Sequence, residues 1–244
     1  MRVVYGINPV TEALKSGSPH IEAVLISAGR ADKAIEAIIK TATQKSLRIS
    51  RVDNAELAKI AGTSAHQGVV LIFSGDFSYV DIDDLLQVWK ASAESAFFLV
   101  LDSVQDPQNL GSLIRAACAA GLHGVIIPKD RACEVTPAVA KASAGATEHV
   151  KIARETNITR AIERLKKENI WVAAIEADAS GNIFASDLKR DIALVIGGEA
   201  KGIRRLVRET CDFALSIPLK GKLNSLNAAQ AGAIAMFEVL RQRL

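Results

Sequence analysis

Short apolar runs alternate along this chain with stretches in which apolar positions recur every three or four residues. The first pattern predicts buried strands and the second amphipathic helices. Val3-Val4-Tyr5 leads into a helix around Pro9–Lys15, Ala23–Ile26 predicts a strand, Lys33–Lys45 a helix and Val69–Phe73 another strand. Residues 1–76 therefore read as a small α/β domain. Beyond Ser74 the chain turns polar and acidic, with Asp76, Asp81, Asp83 and Asp84 around a short Leu85-Leu86-Gln87-Val88-Trp89 patch. Residues 77–95 read as a linker holding one helical turn or two.

From Phe97 the order strand, loop, helix recurs. Phe97–Leu101 precedes Leu110–Ala120, Gly124–Ile127 precedes Pro137–Ala144, and Val150–Ala153 precedes Ile158–Lys167. Trp171–Ile175, Ile192–Ile196 and Phe213–Ile217 continue the strands, and a long helix from about Leu226 to Arg241 closes the chain. Apolar, β-branched strands alternating with helices predict a mostly parallel sheet covered on both faces over residues 96–244. No fixed-period repeat or low-complexity tract interrupts it.

Composition narrows the class. With 244 residues, 49% of them hydrophobic, the chain can bury a sizeable core. Its apolar stretches fall short of the roughly 18 residues that a membrane helix needs. Met1 to Pro9 meets Asn8 and Pro9 before an apolar leader can build, so a cytoplasmic setting is expected. Cys118, Cys133 and Cys211 are odd in number and far apart, which suits buried apolar residues better than disulfides or zinc ligands. His20, His66, His123 and His149 are scattered, and no metal is expected. The net charge of +3 permits an anionic partner without requiring one. Lys201, Arg204, Arg205 and Arg208, with Lys220 and Lys222 close behind, fit either a solvated helix face or a basic contact surface.

Familiar nucleotide and hydrolase motifs are absent. In Gly197-Gly198-Glu199-Ala200-Lys201-Gly202, Ile203 stands where a P-loop needs lysine, and no G-x-G-x-x-G opens a helix. Neither G-x-S-x-G nor H-E-x-x-H occurs.

Three other segments stand out. Leu101–Ala117 carries a buried strand into an Asp106-Pro107 turn, with Asn109 where a cap or loop amide would sit and Arg115 on the following helix. Ile192–Gly202 ends a strand on Gly197 and Gly198, which would let a ligand approach the backbone, followed by Glu199 as an acceptor. In Ile217–Asn227, Pro218 ends a strand, Gly221 permits a bend, and Asn224 or Ser225 could cap the last helix. Each alone has an ordinary structural explanation.

Together, in this order and spacing, they resemble the three signature motifs of the SpoU family of RNA ribose 2′-O-methyltransferases, within the SPOUT superfamily. The resemblance covers residues 96–244. Residues 1–76 resemble the family's RNA-binding domain, similar to ribosomal protein L30, through Tyr5-Gly6-Ile7-Asn8-Pro9 and His66-Gln67-Gly68-Val69-Val70. Ala200 where glycine is frequent, and Ala228-Ala229-Gln230 where the family commonly has Val-Ser-Val, depart from the pattern.

The resemblance implies a deep trefoil knot, a homodimer with the last helix near its interface, and S-adenosylmethionine as methyl donor. Gly197, Ile217 and Leu226 would contact the donor. Arg115, Asn109, Glu199, Ser225 and Asn227 would form the catalytic group, and Lys201, Arg204 and Arg205 would help hold RNA. The overall likeness is to the branch acting on a guanosine ribose of 23S ribosomal RNA. A transfer RNA methyltransferase and a non-catalytic RNA-binding relative are the alternatives.

Overall fold

The computed structural model describes residues 1–18, 20–199, 202–222 and 224–244. In chain order these form β1 (Arg2–Tyr5), α1 (Ile7–Ser16), β2 (Ile21–Ser27), α2 (Lys33–Gln44), β3 (Arg48–Val52), α3 (Asn54–Ala61), β4 (Val69–Phe73), α4 (Ile82–Ser92), β5 (Phe97–Asp102) and α5 (Pro107–Ala119). There follow β6 (Gly124–Pro128), α6 (Pro137–Ala142), β7 (Ile152–Glu155), α7 (Ile158–Lys167), β8 (Trp171–Ile175), β9 (Gly181–Asn182), β10 (Ile192–Gly197), α8 (Arg205–Thr210), β11 (Phe213–Ser216) and α9 (Ala228–Arg243). No helix among the described residues is long and apolar enough to cross a membrane.

The chain divides into two compact units. One comprises Met1–Ser78 together with Val135–His149, the other Tyr79–Glu134 together with Val150–Leu244. In the first, the sheet order is β1-β4-β2-β3, with β2 and β3 parallel and the other pairs antiparallel. Alternate side chains leave a strand on opposite faces. Val4, Val24, Ile26 and Leu71 accordingly meet Val10, Leu14, Ile35 and Ile38 of α1 and α2, while Val3, Tyr5, Leu25 and Val70 meet Leu57 of α3. Val135–His149 packs into the same unit: Ala140 joins the first of these cores, Glu148 pairs with Arg2 at 2.5 Å, and His149 lies 2.9 Å from Glu12.

The second unit holds a parallel sheet in the order β7-β6-β5-β10-β8-β11-β9. Residues 97–101 are buried throughout, as expected for a central strand covered on both sides. Where sequence pattern suggested a turn or two of helix, α4 runs over eleven residues. A reciprocal capping box between Asp81 and Asp84 starts it, and Ile82, Leu85 and Leu86 enter the core with Phe98 and Ile126.

Strand order sets the position of the site. From β5 the chain moves outward to β6 and β7, then returns to fill the opposite side with β8, β10 and β11. The reversal falls between β5 and β10, whose carboxyl ends open together, the usual place for a ligand crevice in an open parallel sheet.

Candidate active site

Two backbones meet closely at this crevice. At the end of β10, the Gly198 N–H donates to the Asp102 carbonyl at 2.8 Å, and Gly202 N–H returns to the Gly198 carbonyl at 2.9 Å. A Cβ on Gly198 would lie 2.1 Å from the Ser103 carbonyl oxygen, and one on Gly197 would lie 2.2 Å from the Gly202 carbonyl carbon. Both glycines are therefore required first by chain against chain, before any ligand is considered. Ser103 takes up the turn in a left-handed conformation (φ 65°).

Asp102, fully buried at the end of β5, locks the second loop onto the first. It accepts the Arg204 backbone N–H at 2.7 Å and the Arg204 Nε–H at 2.8 Å. The guanidinium that the sequence assigned to RNA thus neutralises a carboxylate away from water. Arg205 is exposed and pairs with Glu209 at 2.7 Å, and Lys201 lies outside the described residues.

Asn109, Glu199 and Asn227 converge from three separate segments: the first turn of α5, the loop after β10 and the start of α9. Asp106 caps α5, accepting from the Asn109 N–H, so Asn109 lies inside the helix and not at its cap. The Asn109 amide donates to Glu199 Oε1; Asn227 Nδ2 donates to the same oxygen at 2.8 Å and to Asn109 Oδ1 at 3.0 Å. Asn227 Oδ1 also accepts from the Ala229 and Gln230 N–H groups, making Asn227, and neither Asn224 nor Ser225, the cap of α9. One side chain therefore starts the last helix and binds the other two motifs.

Cavities open on both sides of this network. The first, about 590 Å³, is lined by Gly197, Ile217, Ser225, Leu226 and Asn227, with Glu176 and Asp178 from the end of β8. All three residues expected to touch the methyl donor line it. Its apolar wall, including Ile196, Leu219 and Ala231, and its carboxylates fit a molecule with an aromatic base, a ribose and an amino-acid tail. The second, about 700 Å³, is lined by Gln105, Asp106, Asn109, Arg131 and Arg204, and shares Gly198, Glu199, Gly202 and Ala228 with the first.

Arg115 lines neither cavity; it stands exposed on α5 and makes no hydrogen bond or ion pair with another described residue. Sequence reasoning missed Asp102, Arg131, Glu176 and Asp178. Asp102, Glu176 and Asp178 sit at or just after strand ends, and position at the carboxyl ends of a parallel sheet was the signal that could have found them. Among the described residues no cluster of His, Cys, Asp and Glu could hold a metal ion.

The SpoU rRNA Methylase family pattern matches residues 96–237, and the pattern for RNA 2′-O ribose methyltransferase substrate binding matches residues 3–77. A Bacillus subtilis (strain 168) protein named for the TrmH family of tRNA/rRNA methyltransferases, YacO, is 40% identical over 98% of this chain and 95% of its own. The 23S rRNA (guanosine-2′-O-)-methyltransferase RlmB of Xanthomonas axonopodis pv. citri (strain 306) is 36% identical over 99% of this chain and 96% of its own. The crystal structure of an AdoMet-bound rRNA methyltransferase from Sinorhizobium meliloti superposes with a TM-score of 0.80 and 25% identity, covering 100% of this chain and 88% of that one.

Proposed function

Because the chain belongs to the SpoU rRNA methylase family, it is an S-adenosylmethionine-dependent RNA ribose 2′-O-methyltransferase, and we propose that its acceptor is a guanosine of 23S ribosomal RNA in the cytoplasm. The observation that carries the reading is the Asn109–Glu199–Asn227 network, which joins all three motif segments at the wall common to two cavities. The guanosine of 23S RNA is supported by the name and near-full-length likeness of the Xanthomonas relative.

The bound donor supplies an electrophilic methyl group on a sulfonium. The chain's part is chiefly to position: 2′-oxygen, methyl carbon and sulfur must lie nearly in line, and holding reactants in that arrangement removes much of the barrier. Gly197, Ile217 and Leu226 shape the donor's cavity. Glu199 spends Oε1 on both asparagine amides, which suits it to holding the loops together better than to taking a proton. Ser225 reaches the same cavity and has a hydroxyl free of partners among the described residues.

Arg115 serves as an anion holder. A guanidinium with pKa above about 12 is a poor base, but it grips phosphate and stabilises negative charge growing on an adjacent oxygen. Its exposed position, without a partner among the described residues, suits a group that meets its partner only when RNA arrives. We also assign the functional form as a homodimer: Ile234 and Phe237 expose apolar surface on α9, which packs against α5, the helix that carries Arg115.

Incubation with labelled S-adenosylmethionine and 23S RNA from cells lacking the enzyme should place label on one guanosine ribose. Labelling of transfer RNA instead would overturn the choice of substrate. Arg115→Ala should bind the donor normally while methyl transfer falls at least about 100-fold; transfer near the wild-type rate would remove Arg115 from its role.

A further inference from the structure

The second cavity, about 700 Å³, shares Gly198 and Glu199 with the donor's cavity, while Asp106, Pro107 and Arg131 line the second alone. Methyl transfer needs the reacting ribose beside the donor, which assigns the ribose to the shared wall. The residues that line only the second cavity are then left to meet the base that the ribose carries.

Four charged side chains among the described residues stand on this cavity, and two of them are committed to other partners. Arg204 is bound to the buried Asp102, and Glu199 gives Oε1 to Asn109 and Asn227. Asp106 and Arg131 form no ion pair, either with each other or with another described residue. Asp106 Oδ2 accepts the Asn109 N–H at 3.1 Å, which fixes the carboxylate at the start of α5 and leaves Oδ1 without a partner among the described residues. The Arg131 guanidinium is likewise unbonded among them.

The chain holds Arg131 at this wall in a left-handed conformation (φ 59°), which is costly for a residue with a long side chain. Bonds from both sides impose it. Beyond β6, Lys129 N–H donates to the Glu155 carbonyl at 2.8 Å and Cys133 N–H to the Val104 carbonyl at 2.9 Å. The loop that presents Arg131 is thereby tied to the one that presents Asp106. An acceptor and a fork of donors are mounted separately on one wall, with Pro107 as apolar surface beside them.

We propose that this pair selects guanine: Asp106 Oδ1 accepts from the N1–H and N2–H groups of the target base, and Arg131 donates to its O6 and N7. Unstacked RNA bases are read on these edges, and an arginine fork on O6 and N7 is the commonest specific contact with guanine. Adenine would set its N1 lone pair against the carboxylate and its N6 amino group against the guanidinium, leaving both charges unpaired. The inference rests on the guanosine acceptor proposed above and names the side chains that read it.

Asp106→Asn keeps the helix cap, because asparagine caps as well as aspartate, but turns the free oxygen into an amide donor. The substrates are 23S RNA fragments with guanosine, adenosine or 7-deazaguanosine at the mapped position. Asp106→Asn should lower kcat/KM for guanosine about 10- to 100-fold and raise it for adenosine, with donor affinity unchanged. Arg131→Ala should cause a similar loss on guanosine and a smaller one on 7-deazaguanosine, which lacks N7. A merely structural role would lower all three substrates alike. Guanosine methylation by the wild type, with an unchanged guanosine-to-adenosine ratio in Asp106→Asn, would overturn the inference and leave the methylation reading standing. Fluorescent oligouridylates with one central guanosine or adenosine, titrated with S-adenosylhomocysteine present, test the cavity without methylation. Tighter binding of the guanosine oligomer by the wild type, lost in Asp106→Asn, supports the inference even if 23S RNA is not methylated, and equal binding of the two oligomers refutes it.

Discussion

Arg204 and Arg205 carry the same guanidinium, but only Arg204 faces a carboxylate that water does not reach. Removing one partner of such a pair leaves a buried charge unmatched, which costs far more than losing an exposed ion pair. Arg204→Ala should therefore lower unfolding free energy by about 3 kcal/mol in urea titrations, and Arg205→Ala by less than about 0.5 kcal/mol. Equal effects would show that Asp102 is satisfied without the side chain. Sequence made the two arginines look alike because Asp102 lies far upstream, and nothing local reveals that the fold brings it beneath one and not the other. Cys211 was more legible. Its distance from the other two cysteines suggested a buried apolar residue, and burial pushes the thiol up to about 12.

At the scale of elements, long apolar patterns were readable and short or half-exposed ones were not. The predicted strands Val69–Phe73 and Trp171–Ile175 and the helix Ile158–Lys167 coincide with β4, β8 and α7. The sequence Arg48-Ile49-Ser50-Arg51-Val52 escaped notice because β3 is an edge strand with two arginines and no fully buried residue. The short helix α8 was visible only as a basic cluster, since Val207 is its single buried residue. The start of α9 was misplaced onto Asn224 or Ser225 because several capping residues occur together, and only the bonds that Asn227 Oδ1 accepts from the Ala229 and Gln230 N–H groups distinguish Asn227. Asn227→Ala should thus have two effects: about 1 kcal/mol of lost helix capping in thermal denaturation, and weaker S-adenosylmethionine binding in calorimetric titration. Loss of stability with unchanged donor affinity would confine Asn227 to the cap.

The whole molecule has a separate hydrophobic core in each unit, and the donor cavity lies entirely within one of them. A ligand stabilises only the structure that binds it. Thermal unfolding followed by calorimetry should therefore show two transitions, with saturating S-adenosylmethionine raising one and leaving the other in place. A single transition that shifts as a whole would mean that the units melt together. The alternation of strands and helices made the parallel sheet legible, but no periodicity could show that Val135–His149 packs with residues nearly the whole first unit away in sequence. That excursion has a consequence for anyone building chimaeras. Exchanging residues 1–78 between homologues would transplant an incomplete piece, pairing a foreign Arg2, Glu12 and Gln67 with the resident Glu148, His149 and Lys141. A graft should travel as two segments, and compatibility at those three pairs is the first criterion for choosing its donor.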